Sequence, residues 1–185
     1  MNLPRELRTD RLWLRRWLAS DRPAFARLNA DPRVVEFFPG PLSRSESDAR
    51  VDRIEAHFQE HGFGLWAVEI PGISRFAGFI GLSIPRFEAP FTPCIEIGWR
   101  LDAGHWNQGY ATEGARAALA FGFRWLQVEE IVSFTVPGNV RSRRVMEKLG
   151  MTHSARDDFD HPLLPEGHPL RRHVLYRLGR PNEVV

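Results

Sequence analysis

The spacing of apolar and polar residues along the chain predicts alternating strands and helices. In the stretch "RLWLRRW" (11–17), Leu12 and Leu14 alternate with Trp13 and Arg15, which is the period of two that a strand requires. Alternating or apolar runs bounded by Pro or Gly indicate further strands. These strands cover 64–70, 76–84, 94–101, 131–136 and 173–178.

Four helices are predicted between these strands. The first opens near Pro23, crosses "AFARLNA" and ends at the "DP" of 31–32. The second runs from Ser43 to about His61, because Glu46 follows Ser43 by three residues as in a capping box and Gly62 can end the helix. The other two cover 111–126 and 139–149.

The order of these elements predicts the fold class. One strand, two helices, three strands, a helix, a strand, a helix and a last strand indicate an α/β protein with a single mixed, mostly antiparallel sheet flanked by helices. At 185 residues and 43% hydrophobic content, the chain suits one domain over 1–185.

Composition and charge exclude several classes of protein. The formal charge is only +2, and arginines alternate with acidic residues, so we expect no nucleic-acid partner. Arginines also interrupt every apolar run, so we expect no membrane role. The single cysteine, Cys94, cannot form an internal disulfide, and the first residues lack an apolar signal core. These features favour the cytoplasm.

The junction "WNQGYA" (106–111) joins a glycine-bearing loop to an amphipathic helix. Backbone N–H groups at a helix start have no intrahelical acceptor and lie at the positive end of the helix dipole. Gly109 allows a ligand to approach the backbone closely. The junction therefore predicts an anion site, most naturally for phosphate. The alternative is a loop that only packs tightly.

Other motifs for nucleotides or metals do not fit their context. "GFGLWA" (62–67) resembles a dinucleotide fingerprint but precedes a strand instead of following one. His161, His168 and His173 lie in a proline-rich loop without metalloprotease spacing, so we expect no metal. Cys94 has no histidine near it in sequence, which disfavours an acyl-cysteine intermediate.

Two central segments of the chain resemble the GNAT acetyltransferases, a family with the acyl-CoA N-acyltransferase fold. They are "EIGWRLDAGHWNQGYATEGARAALAFGF" and "IVSFTVPGNVRSRRVMEKLGM". Within this family, the chain is most similar to the branch that contains the ribosomal-protein N-terminal acetyltransferases. The resemblance implies that main-chain N–H groups of one loop and the helix start bind the pyrophosphate of acetyl-CoA. These residues are Trp106, Asn107, Gln108, Gly109, Tyr110, Ala111 and Thr112. Trp106 replaces the Arg or Gln usual at the first position.

The resemblance also implies contacts to the rest of the donor. Backbone groups of Trp99 and Leu101 would pair with the acetyl-pantetheine arm where this strand splays from 131–136. Asn139 would contact the arm, and a nearby side chain would protonate the departing thiolate. Met146 stands where many members have a tyrosine, so Ser142 is the nearest candidate acid. The alternatives are a plain helix cap for Asn139 and a solvated hydroxyl for Ser142.

Glu96 is the candidate general base. In "CIEIGWRL" the apolar residues share one strand face and leave Glu96 and Arg100 on the other. A carboxylate beside the splay can take a proton from an ammonium acceptor, directly or through water, when burial raises its pKa. The alternatives are a salt bridge with Arg100 or an exposed strand position.

The resemblance thus implies an N-acetyltransferase that transfers the acetyl group of acetyl-CoA to a primary amine by direct attack in a ternary complex. The acceptor is a protein N-terminus or a small-molecule amine, and the chain is a monomer or homodimer. The alternative is a non-catalytic CoA-binding or interaction module. The segment 155–168 contains four carboxylates, Asp157, Asp158, Asp160 and Glu166, against the single arginine Arg156. This balance suggests an acidic rim that attracts cationic acceptors.

Overall fold

The computed structural model describes residues 3–181, and the predicted domain range 1–185 extends past them at both ends. Its strands are β1 (Leu7–Arg8), β2 (Trp13–Arg15), β3 (Leu65–Ile70), β4 (Ser74–Ser83), β5 (Glu96–Leu101), β6 (Glu130–Thr135), β7 (Thr152–His153), β8 (Phe159–Asp160) and β9 (Arg172–Gly179). Its helices are α1 (Arg22–Ala30), α2 (Pro32–Val35), α3 (Arg44–His61), α4 (Tyr110–Phe121) and α5 (Val140–Lys148).

The strands form one mixed sheet in the order β1-β2-β3-β4-β5-β6-β9-β7, with β8 paired to β9. Every pair in the described sheet is antiparallel except β5 with β6. The predicted fold class is confirmed, and the meander of β3, β4 and β5 is present as expected.

Helices cover both faces of the sheet. Helix α4 packs so closely that a Cβ at Gly114 would lie 2.6 Å from Ile80. On the opposite face, Phe25 of α1 stacks edge-on against Phe79 of β4, with ring centroids 6.0 Å apart. Because β5 lies between these layers, its two faces point to different sides of the molecule. Glu96 and Arg100 share the α1 side, since they pair with Ser83 and Phe79 of β4.

Several predicted boundaries were wrong. The "DP" at 31–32 ends α1 as expected, but the Asp31 side chain then caps a second, short helix that starts at Pro32. The α-helix expected over 111–126 ends at Phe121 and continues as a π-helical turn, Gly122–Leu126. Strands β1, β7 and β8 were not predicted, since two-residue strands leave no pattern.

The second predicted helix agrees closely with α3. Ser43 accepts from the Glu46 backbone while the Glu46 side chain accepts from the Ser43 backbone, which completes the capping box. Gly62 ends the helix in the left-handed conformation, with φ of +77°.

Candidate active site

The candidate site begins where β5 and β6 separate. They are in register at a single pair, Glu96 with Val132, where the Val132 N–H donates to the Ile95 carbonyl at 2.9 Å. Further along, the Ser133 hydroxyl bridges to the Ile97 carbonyl at 2.9 Å. Each strand stays paired with its outer neighbour, β4 or β9, through the same region. A V-shaped opening therefore forms inside a continuous sheet.

The backbone of β5 lines this opening. The Asp102 N–H donates to Ala77 of β4, so antiparallel alternation directs the peptide groups of Trp99 and Leu101 toward β6. The Leu101 carbonyl already accepts a hydrogen bond from the Trp106 indole at 2.9 Å. Of these two predicted residues, Trp99 is therefore better placed to offer its peptide groups to a ligand.

The loop before α4 presents backbone donors at the mouth of the opening. Asn107 and Gly109 adopt positive φ values of 60° and 83°, and residues 107–109 are exposed. No side chain caps α4, and its first backbone bond runs from the Glu113 N–H to the Gly109 carbonyl at 3.0 Å. The N–H groups of 110–112 precede that bond and need another acceptor, which an anion provides.

Side chains in this loop have structural roles. The Tyr110 ring is buried in the core, so only its backbone can face a ligand. The Trp106 side chain packs against the core, and the Gln108 amide donates to the Gly104 carbonyl at 3.1 Å. These contacts fit a loop that binds through its main chain.

Arg11 is a residue whose role in this loop we did not predict. Its guanidinium donates to the Gln108 carbonyl at 3.0 Å, pairs with Glu113 at 2.6 Å and lies over the Tyr110 ring at 4.7 Å. A Cβ at Gly109 would lie 3.3 Å from it. Arg11 therefore fixes the loop against the helix start. Nothing in the local sequence signals these contacts, since nearly 100 residues separate their partners.

On the other side of the opening, Asn139 caps α5. Its Oδ1 accepts from the Ser142 N–H at 3.2 Å, and its Nδ2 donates to the Thr135 hydroxyl at 3.0 Å. The plain helix cap considered as an alternative is thus present, and any contact to a ligand comes in addition to it. The Ser142 hydroxyl is half-buried and has no hydrogen-bond partner within residues 3–181. Met146 is buried in the core.

Glu96 lies at the start of the splay and is partly buried. Its carboxylate accepts a long hydrogen bond from Ser83 at 3.5 Å. Burial raises the pKa of Glu96 to about 7, while the positive charge of Arg50 on α3 and the Ser83 hydroxyl lower it in part. The alternative ion pair with Arg100 is not formed, since that guanidinium donates to Asn29 at 2.6 Å instead.

The sequence model of the GNAT acetyltransferase domain matches residues 11–152, which include the splay, the loop and all of α5. The chain belongs to the GNAT acetyltransferase family. The N-acetyltransferase YnaD of Bacillus subtilis is 30% identical over 86% of this chain and 88% of its own length. An acetyltransferase from Agrobacterium tumefaciens is 30% identical, with a TM-score of 0.75 over 96% of this chain and 95% of that one.

The fold is also shared with a more distant acetyltransferase. RimL, a ribosomal L7/L12 alpha-N-protein acetyltransferase solved in complex with coenzyme A, has a TM-score of 0.74 over 94% of this chain and 97% of its own. At 19% identity, this likeness shows a shared fold.

Two other features of this GNAT chain bear on the chemistry. Burial and the nearby Glu96 carboxylate raise the pKa of Cys94 to about 11, which keeps it a thiol at neutral pH. His161 and His173 stack in an aromatic cluster with Phe134, and burial lowers the pKa of both. Within the described residues, no group of three potential ligands stands together for a metal.

Three of the four carboxylates of the acidic rim have basic partners, contrary to our expectation, and Glu166 is exposed with no ion pair within residues 3–181. Asp157 pairs with Arg177 at 2.8 Å, and Asp158 contacts His153 at 2.7 Å. Asp160 lies within 4 Å of Arg171 and Arg172. The prediction compared the carboxylates with the arginine within their own segment and missed the partners that β7, β9 and the residue before β9 supply.

Among the helices of residues 3–181, none combines the length and the apolar character that crossing a bilayer requires.

Proposed function

We propose that this GNAT chain is an acetyl-CoA-dependent N-acetyltransferase that transfers the acetyl group to a primary amine in a ternary complex. The observation that carries the proposal is the splay between β5 and β6, which opens beside an uncapped helix start. The coenzyme A bound to RimL and the N-acetyltransferase name of YnaD support it. The expected cytoplasmic location and the monomer or homodimer state rest on the sequence alone.

In this proposal the backbone N–H groups at 107–112 hold the donor pyrophosphate, and Arg11 keeps their loop in place before binding. The peptide groups of Trp99 extend the sheet toward the pantetheine arm. An N–H of this splayed strand stabilises the oxyanion that forms at the thioester carbonyl. These donors are fixed by the sheet, so little reorganisation accompanies binding.

Glu96 and Ser142 take the proton-transfer roles. Glu96, directly or through water, removes a proton from the ammonium group so that the neutral amine can attack the carbonyl. The carbon–sulfur bond breaks, and Ser142 or water protonates the thiolate. With its pKa at about 7, Glu96 is about half ionised at neutral pH, which suits a general base.

One observation favours the alternative, a non-catalytic CoA-binding module. Met146 occupies the position where many relatives carry a tyrosine that acts as the general acid, and its side chain is buried in the core. A module of this kind binds acetyl-CoA without releasing thiol when amines are added.

The test is a screen of primary amines and peptide N-termini, read by release of CoA thiol from acetyl-CoA and by the mass of the acetylated product. We expect thiol release that depends on both enzyme and amine. Acetyl-CoA binding without amine-dependent release would establish the module instead. Absence of binding would refute both.

A further inference from the structure

Two arginines are buried in the described residues, and only one of them has carboxylate partners. Arg15, 5% exposed, donates to Asp21 through both terminal nitrogens and to Glu69 through Nε. These partners raise its pKa. Arg100, 6% exposed, forms no ion pair within residues 3–181 and donates to the neutral Asn29 amide through Nη1. Its positive charge is therefore not compensated.

The free edge of Arg100 has the shape that binds a carboxylate. The Phe38 ring lies over the guanidinium of Arg100 at 3.8 Å and takes none of its in-plane N–H donors. Nε is buried without a hydrogen-bond partner, and Nη2 donates to no described residue. The Nε–Nη2 edge can hold two parallel hydrogen bonds to one carboxylate. A buried charged donor without an acceptor is costly, which makes an absent ligand the natural acceptor.

Arg50 adds a second cation. It projects from α3, is half-buried and has no carboxylate partner among the described ion pairs. Its charge is near enough to lower the pKa of Arg100, which burial and this repulsion bring to about 9. The same charge lowers the pKa of Glu96. The two arginines and the candidate base therefore share one electrostatic neighbourhood.

Space for a ligand lies between the base and Arg100. Gly98 stands between Glu96 and Arg100 on the same face of β5. A Cβ at Gly98 would meet only Glu96 Oε1, at 3.8 Å. The backbones of Glu96 and Arg100 lie about 13 Å apart, because the two residues are four positions apart in the strand. The long arginine side chain shortens this distance.

We propose that Arg100 and Arg50 bind a carboxylate of the acetyl acceptor while its amine lies at Glu96, so that the acceptor is an amino acid or a related carboxylated amine. This inference rests on the proposed function and specifies its substrate class. It replaces the cationic acceptor that the acidic rim suggested, because three of the four carboxylates of that rim already have basic partners.

The experiment compares ω-amino acids, from glycine to 5-aminovalerate, with alkylamines of equal length. We expect kcat/KM to favour the carboxylated amine of best length by about 10- to 100-fold, the range of hydrogen bonds to charged groups. Arg50→Gln and Arg100→Gln should each remove most of this preference. Arg75→Gln, at an exposed position near the β3–β4 turn, changes the net charge equally and should leave it intact.

A second measurement works without turnover. The best ω-amino acid alone should raise the melting temperature of wild type and of Arg75→Gln, but not of Arg50→Gln or Arg100→Gln. Aminoethyl phosphate, tested beside it, shows how far the site prefers carboxylate. Arg100→Gln should fold, because it replaces an uncompensated buried charge with a neutral polar side chain.

Equal kcat/KM for carboxylated and neutral amines would overturn the inference and leave the acetyltransferase proposal standing. The inference would also be overturned if the preference for carboxylated amines survived in both arginine variants, or if the site preferred aminoethyl phosphate to the carboxylated amine. If acetyl-CoA does not bind and no amine is acetylated, the proposed function itself fails.

Discussion

The raised pKa of Glu96 links the stability of the fold to its chemistry, and Glu96→Gln tests both. Glutamine keeps the size and shape of the side chain and removes its charge. Burial of Glu96 is the main cause of the raised pKa, which Arg50 and Ser83 offset only in part. The variant should therefore be more stable than wild type wherever Glu96 is ionised.

The size and pH range of this gain follow from the pKa. An ordinary glutamate has a pKa of 4.5, whereas that of Glu96 is about 7 in the folded protein. The fold thus binds this proton more tightly than the unfolded chain does. Below about pH 4.5 the residue is neutral in both states and costs nothing. Stability falls as the pH rises from 4.5 to 7, and the cost levels off above 7 at up to about 3 kcal/mol.

The assay is urea unfolding of wild type, Glu96→Gln and Glu88→Gln, an exposed control, at pH 5 and pH 8. We expect Glu96→Gln to gain up to about 3 kcal/mol at pH 8 and much less at pH 5, and the control to match wild type at both. In the pH–rate profile, kcat/KM of wild type should fall below pH 7, and Glu96→Gln should flatten this limb. If Glu96→Gln changed stability equally at both pH values, burial would not raise the pKa of Glu96. If the variant kept the wild-type rate and an unchanged acidic limb, Glu96 would not be the general base.

Two further substitutions separate catalysis from binding. Ser142→Ala should lower kcat by about 10- to 100-fold, a limited loss because water partly replaces the acid. The affinity for acetyl-CoA, measured by calorimetry, should change little. A variant with wild-type kcat would show that Ser142 is not the acid. Trp106→Phe keeps an aromatic ring, smaller than the indole, but loses the hydrogen bond to the Leu101 carbonyl. We expect it to lower stability in urea by about 1 kcal/mol, and an unchanged midpoint would show that this bond does not hold the loop.

The fold was largely predictable because its longer elements satisfy local rules. Helix α3 carries both halves of a capping box and a C-terminal glycine, and both ends appear as predicted. The opposite faces of β5 follow from simple alternation. The short helix at Pro32 was missed because a residue that ends one helix can also cap the next.

The candidate site was predictable where it depends on backbone geometry. Gly109 and the uncapped helix start can be found in a short stretch of sequence. Side-chain partners are a different matter, because the fold alone brings them together. Arg11 reaches Gln108, and Arg177 neutralises Asp157, across long separations in the chain. The unpaired charge of Arg100 likewise becomes evident only when its neighbours are known.

Ligand-induced stabilisation shows whether the loop before α4 binds acetyl-CoA. At about 100 times its dissociation constant, acetyl-CoA should stabilise wild type by roughly 2.7 kcal/mol. Gly109→Glu should abolish this gain by placing bulk and negative charge against the pyrophosphate. Gly72→Glu is the matched control, since Gly72 has a similar φ of +77° in the turn between β3 and β4. We expect acetyl-CoA to stabilise Gly72→Glu fully and Gly109→Glu not at all. Full stabilisation of both variants would show that the loop does not bind the pyrophosphate.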